Sequence, residues 1–147
     1  MPQDLERPCE LYRKAVRDLF REFRSHPAAS DERFRRYLQS TYEDYKARLH
    51  SSDPKSDPET LRDGLFILAA GLFAYGNLEV ADDLLDYVPP SGSIRNLALA
   101  LPALLPLSQD VDPRTDPEPI RQWLKNNRDN LRWSESRGTY VLAGEVQ

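Results

Sequence analysis

The chain has one cysteine, Cys9, among its 147 residues, so no disulfide can form within it. That count suits a reducing compartment. Histidine is nearly as scarce, with only His26 and His50. They lie far apart in sequence, without an HExxH pattern or a cysteine at ligand spacing. Neither a zinc site nor a Cys–His nucleophile is therefore expected. Both read instead as histidines in the last turns of helices, near the negative end of the dipole. No GxxxxGK[ST] or GxGxxG pattern is present, which removes the loops that cradle phosphates. The longest apolar run, residues 64–76, is far shorter than the roughly 20 residues a membrane span needs. Residues 1–10 are polar and acidic and lack the basic-then-apolar order of a secretory leader. These absences lead to the expectation of a cytoplasmic protein that is not an enzyme, holds no cofactor or metal, and has no membrane partner.

What is present suffices for a folded domain. Hydrophobic residues make up 39% and charged residues 30% of the chain, too apolar for a disordered segment. The length fits a single domain, 1–147, able to bury a core without metals or disulfides. The net charge of −4 does not favour generic nucleic-acid binding. The charge is uneven, however: residues 1–50 carry 11 Lys and Arg against 9 Asp and Glu, residues 51–120 carry 4 against 12, and residues 121–147 carry 5 against 3. An acidic middle between mildly basic ends either steers a partner or balances the fold internally.

Periodicity predicts helices over 8–25, 31–49, 58–75, 78–88, 94–105 and 117–130. Pro8 is a good first-turn residue, and Pro27 limits the first helix. Leu11, Tyr12, Ala15, Val16, Leu19, Phe20 and Phe23 fall on one half of its wheel. Arg13, Lys14, Arg17, Arg21 and Arg24 fall on the other. In the second helix, capped by Ser30 or Asp31, Phe34, Tyr37, Leu38, Thr41, Tyr42, Tyr45 and Leu49 share a stripe. Its tyrosines suggest a seam with packed rings and wet hydroxyls. Residues 50–57 form a linker with two Asp-Pro steps. Asp57 then caps the third helix, with Pro58 at its first position. That helix is apolar all round, which places it at the centre, and its small residues (Gly64, Ala69, Ala70, Gly71, Ala74) admit close neighbours. The fourth helix turns Asp82, Asp83 and Asp86 outward. Pro102 should kink or shorten the fifth. Asp116 caps the sixth. Residues 131–142 form a hairpin around Gly138, and Trp133 or Tyr140 must pack on the helices to hold it. The fold class expected is mostly α, a compact five- to six-helix bundle with a short C-terminal β-hairpin.

Residues 65–88 resemble one tetratricopeptide-like, or HEAT-like, helical hairpin. The small and apolar positions are Leu65, Leu68, Ala69 and Leu72 on the first helix and Ala81 and Leu85 on the second. The turn Gly76-Asn77-Leu78-Glu79-Val80-Ala81 joins them. The pattern's Trp, Gly and Tyr are replaced, and Pro89, Pro90 and Pro102 prevent a following repeat. The resemblance thus implies a single hairpin, of a type that mostly mediates protein–protein contacts.

Two surface patches stand out. The arginine face comprises Arg13, Arg17, Arg21, Arg24, Arg33 and Arg36, where Arg33-Phe34-Arg35-Arg36-Tyr37 interleaves charge with aromatics in the manner of a phosphate- and base-binding strip. The second patch is aromatic: Tyr37, Tyr42, Tyr45, Trp133 and Tyr140 are of the types that form interface hot spots. The leading expectation is a non-catalytic binder of another protein, of adaptor, scaffold or assembly-chaperone type, with a homodimer through the tyrosine stripe as a sub-case. One alternative is a binder of nucleic acid or an acidic partner through the arginine face. Another is an antitoxin- or immunity-type inhibitor that presents Asp82, Asp83 and Asp86 to a basic surface.

Overall fold

A computed structural model describes residues 7–20, 31–51, 57–107 and 111–143. Among them lie six α-helices: α1 (Pro8–Leu19), α2 (Asp31–Ser51), α3 (Pro58–Ala74), α4 (Ala81–Asp86), α5 (Ala100–Leu104) and α6 (Glu118–Asn127). Strands β1 (Leu131–Ser134) and β2 (Thr139–Leu142) follow. The chain is mostly helical with a short C-terminal hairpin, as expected. Residues 21–25 of the expected first helix, the cap candidate Ser30 and residues 52–56 of the expected linker lie outside the described residues. No described helix is long and apolar enough to cross a membrane.

The central helix is α3. Asp57 accepts a hydrogen bond from the Glu59 amide (3.2 Å) and one from the Thr60 hydroxyl (2.7 Å), with Pro58 in the first turn. Leu61, Leu65, Phe66, Leu68, Ala69, Ala70, Leu72, Phe73 and Ala74 are all buried, each large side chain contributing about 1.5–3 kcal/mol on burial. Helices α1, α2, α4 and α5 all pack on α3. The small residues admit them closely: a Cβ on Gly71 would lie 2.9 Å from Leu38 Cδ1 and 3.0 Å from Val16 Cγ1, and one on Gly64 would collide with the Tyr45 ring.

Two expected helices are partly replaced by tighter turns. Residues 78–88 become a 3-10 turn, Leu78–Val80, then α4, which is only six residues long. Asn77 accepts from the Glu79 amide (3.1 Å) and so caps that turn. Residues 94–105 become a 3-10 helix, Ser93–Leu99, then α5. Pro102 sits in the first turn of α5, where its missing N–H has no partner to lose. The change from 3-10 to α lies just upstream of it, between Leu99 and Ala100. In α6, Asp116 accepts from the Glu118 amide (3.2 Å).

The hairpin pairs Leu131 with Leu142 and Trp133 with Tyr140, antiparallel. Gly138 takes a φ of +70°, which a side-chain-bearing residue rarely adopts. Its carbonyl accepts from the Cys9 amide (3.2 Å), so the turn lies over the start of α1. Both aromatics anchor the strands: Tyr140 donates its hydroxyl to the Phe73 carbonyl (2.8 Å), and its ring lies 4.9 Å from that of Trp133.

The inward face of α1 differs from the wheel reading. Cys9, Arg13 and Val16 are buried, whereas Leu11 and Leu19 are exposed. The buried face is centred roughly 70° from the middle of the apolar half of the wheel, at 100° per residue. The reason is Arg13, which has a buried destination.

Candidate interaction surface

Arg13 is only 6% exposed. Its Nε donates to the Ala74 carbonyl (2.9 Å), one of the orphan acceptors at the C-terminus of α3, where a cation also offsets the helix dipole. The guanidinium nitrogens reach both oxygens of Glu135 (3.3–3.4 Å) in the hairpin turn. Glu135 also accepts from Trp133 Nε1 (2.8 Å) and Arg7 (2.7 Å). Desolvation pushes the Glu135 carboxyl up, but the donors Trp133, Arg13 and Arg7 more than reverse this and hold it at about 2. This hub joins α1, the end of α3 and the hairpin. Arg13 and Tyr140 are buried and spent on the fold and Trp133 is half-buried, while the Glu135 side chain is 59% exposed at the rim of the hub.

Cys9 lies beneath the same turn, fully buried, and burial pushes its thiol pKa up, away from the reactive thiolate. His50 is exposed in the last turn of α2, and His26 lies outside the described residues. No three of His, Cys, Asp and Glu converge as a metal site among the described residues.

The tyrosine stripe of α2 turns inward. Tyr42 is buried and donates its hydroxyl to Asp83, which Lys46 also reaches (3.0 Å). Tyr45 covers Gly64, and Tyr37 meets the ring of Phe20 edge-on, with centroids 5.3 Å apart. These rings join α2 to its neighbours, with Tyr42 buried and Tyr37 and Tyr45 half-buried. The three aspartates of α4 are taken up as well. Asp83 is buried against α2, Asp82 pairs with Arg128 (3.1 Å) and Asp86 with Arg121 (2.8 Å). The expectation that all three face outward fails at Asp83, whose burial is made tolerable by Tyr42 and Lys46.

The remaining candidates divide. Arg17 is half-buried, 3.6 Å from Asp31 and above the Phe34 ring. Arg21 and Arg24 lie outside the described residues. Arg33, Arg36 and Tyr37 do come together. With Arg35, Gln39, Ser40 and Glu43 they line a shallow, open groove of about 570 Å³ on the outer face of the first half of α2. Its arginines are not a bare cationic strip: Glu32 binds Arg35 (2.5 Å) and Arg36 (3.3 Å), and Gln39 donates to Glu43 (2.8 Å). The run Arg33-Phe34-Arg35-Arg36-Tyr37 points to these arginines, but the charge pairs with Glu32 at i+3 and i+4 set the character of the face.

The class defined by these features is a small helical bundle closed by a hairpin, with an open mixed-charge groove on one helix. No family model matches the chain, and no curated protein or solved structure matches it either.

Proposed function

We propose that the chain is a non-catalytic protein-binding module, of adaptor, scaffold or assembly-chaperone type, that docks its partner on the outer face of α2. The observation that carries this reading is the groove lined by Arg33, Arg36 and Tyr37. Arginine and tyrosine beside amide and carboxylate groups match the composition of protein interface hot spots and their polar rims. The pairing of Arg35 and Arg36 with Glu32 weighs against a phosphate backbone as occupant, because a phosphate would have to displace a carboxylate already in place. The internal pairing of Asp82, Asp83 and Asp86 likewise weighs against the inhibitor reading. The likeness of residues 65–88 to a tetratricopeptide-type hairpin adds fold-level analogy in the same direction.

A photo-crosslinking amino acid at Ser40, inside the groove, tests the reading in native lysate, with the same probe at exposed Ala47 as control. The expected result is a discrete protein adduct at Ser40 that survives nuclease and high salt and is lost with Arg36→Glu. Adducts only to nucleic acid, abolished by nuclease, overturn the proposal in favour of the arginine-face alternative. Equal labelling from both positions overturns it as well.

A further inference from the structure

Helix α1 leaves two large apolar side chains in the open, Leu11 at 62% and Leu19 at 48% exposure. Half-buried Ala15 lies between them, four residues from each, so the three form one stripe along the helix. Beside this stripe, on the solvent side, Lys14 and Asp18 pair at 3.1 Å with side chains 76% and 52% exposed.

We propose that this stripe is the contact between two copies of the chain, crossing antiparallel about Ala15. The pattern is self-complementary under reversal. A two-fold axis at Ala15 sets Leu11 over Leu19 of the second copy and alanine against alanine, where the small side chain lets the backbones approach. The same operation keeps the charged flank of one helix beside the charged flank of the other. Lys14 precedes the axis by one residue and Asp18 follows it by three. At 1.5 Å per residue, reversal brings each Lys14 to within about 3 Å along the axis of the other copy's Asp18. The two Lys14 are as near along the axis, but at 100° per residue both lie roughly 100° round the helix from Ala15 and Asp18 only about 60°, so the Lys–Asp approach is the shorter. Two intermolecular Lys–Asp pairs then border the leucines. A parallel crossing would carry the charges to opposite edges, each against the apolar side of Tyr12 and Val16 with no counter-charge. Charge complementarity thus selects both a second copy as occupant and its direction. A contact one helix long lies at the small end of stable interfaces, so the dissociation constant expected is about 10–100 µM. The surface is on α1 and does not rest on the groove of α2.

Sedimentation velocity of the full chain, from low to high micromolar concentration, tests the proposal. Wild type is expected to pass from monomer to dimer. The double variant Leu11→Glu with Leu19→Glu is expected to stay monomeric with unchanged helicity, since neither side chain belongs to the core. Lys14→Glu and Asp18→Lys are each expected to weaken the dimer about tenfold. Mixing those two variants is expected to restore it, because each introduced charge then meets its opposite across the interface while the pairing within each helix stays broken. Oxidation of Ala15→Cys should join two copies across the axis, with buried Cys9 left out. A wild type that stays monomeric overturns the proposal, as does a dimer that survives the double leucine variant. Failure of the mixed pair to recover overturns the antiparallel assignment.

Discussion

The guanidinium of Arg13 lies 4.1 Å from the centroid of the Tyr75 ring, while its Nε caps the carbonyl of the residue just before that tyrosine, Ala74. One side chain of α1 thus covers the last turn of α3 by two mechanisms, a charge-assisted hydrogen bond and a cation–π contact. A third contact, to Glu135, fixes the hairpin turn against both helices.

Arg13→Ala should therefore be among the costlier substitutions in the chain. It strands the Ala74 carbonyl and removes one of the cations that hold Glu135. The loss expected is about 2–4 kcal/mol, read as a lower urea midpoint at unchanged slope. Arg13→Lys keeps the charge without the planar fork and should lose less than the alanine variant but more than half as much as it. A lysine variant as stable as wild type would show that the fork geometry is idle.

Glu135 gives the hub a pH signature. Its carboxyl is held at about 2 in the folded state, against an ordinary value of 4.5. A depressed pKa contributes stability that is present above the unfolded value and is lost as pH falls through the folded one. The urea midpoints of wild type and Glu135→Gln should differ by a constant amount above about pH 5. The gap should then narrow steadily between pH 4.5 and 2. A gap that persists undiminished at pH 2 would mean that the carboxylate charge plays no part.

Gly76 follows α3 with a φ of +97°, and a Cβ there would come within 2.7–3.0 Å of the Trp133 ring. Gly76→Ala combines backbone strain with a steric clash, so a cost of about 2–4 kcal/mol is expected from thermal or urea unfolding. In a Trp133→Leu background only the backbone part remains, and the increment should fall by about half. Strict additivity of the two substitutions would refute the close approach of ring and turn.

Much of this architecture was legible in the chain because it depends on neighbours in sequence. Asp57 and Asp116 announce helix starts, the apolar run of α3 announces the centre, and Gly138 announces the hairpin. The candidate surface was half legible. The sequence singles out Arg33 and Arg36 as part of an arginine face and Tyr37 as part of a separate aromatic patch, and a helix wheel does not say that the three line one groove. Arg13, Tyr42 and Asp83 escaped for a shared reason. A charged or hydroxyl-bearing residue reads as solvent-facing unless its partner is known, and these partners lie 122 residues away at Glu135 and 41 residues away between Tyr42 and Asp83. One local signal existed: Arg13 falls four residues after Cys9 and three before Val16, on a common helical ridge with both. The exposed Leu11 and Leu19 were misplaced as a consequence, since the rotation that buries Arg13 carries them outward.

The hub also has a temporal meaning. During synthesis α1 is made before the other described elements, and Glu135 is added more than a hundred residues later. Until the hairpin leaves the ribosome, the guanidinium of Arg13 has only part of its seat, and the turn that covers Cys9 does not exist. Contacts of such long sequence separation form late. The contacts that latch α1 to the hairpin are therefore completed only when nearly the last of the described structure has been made.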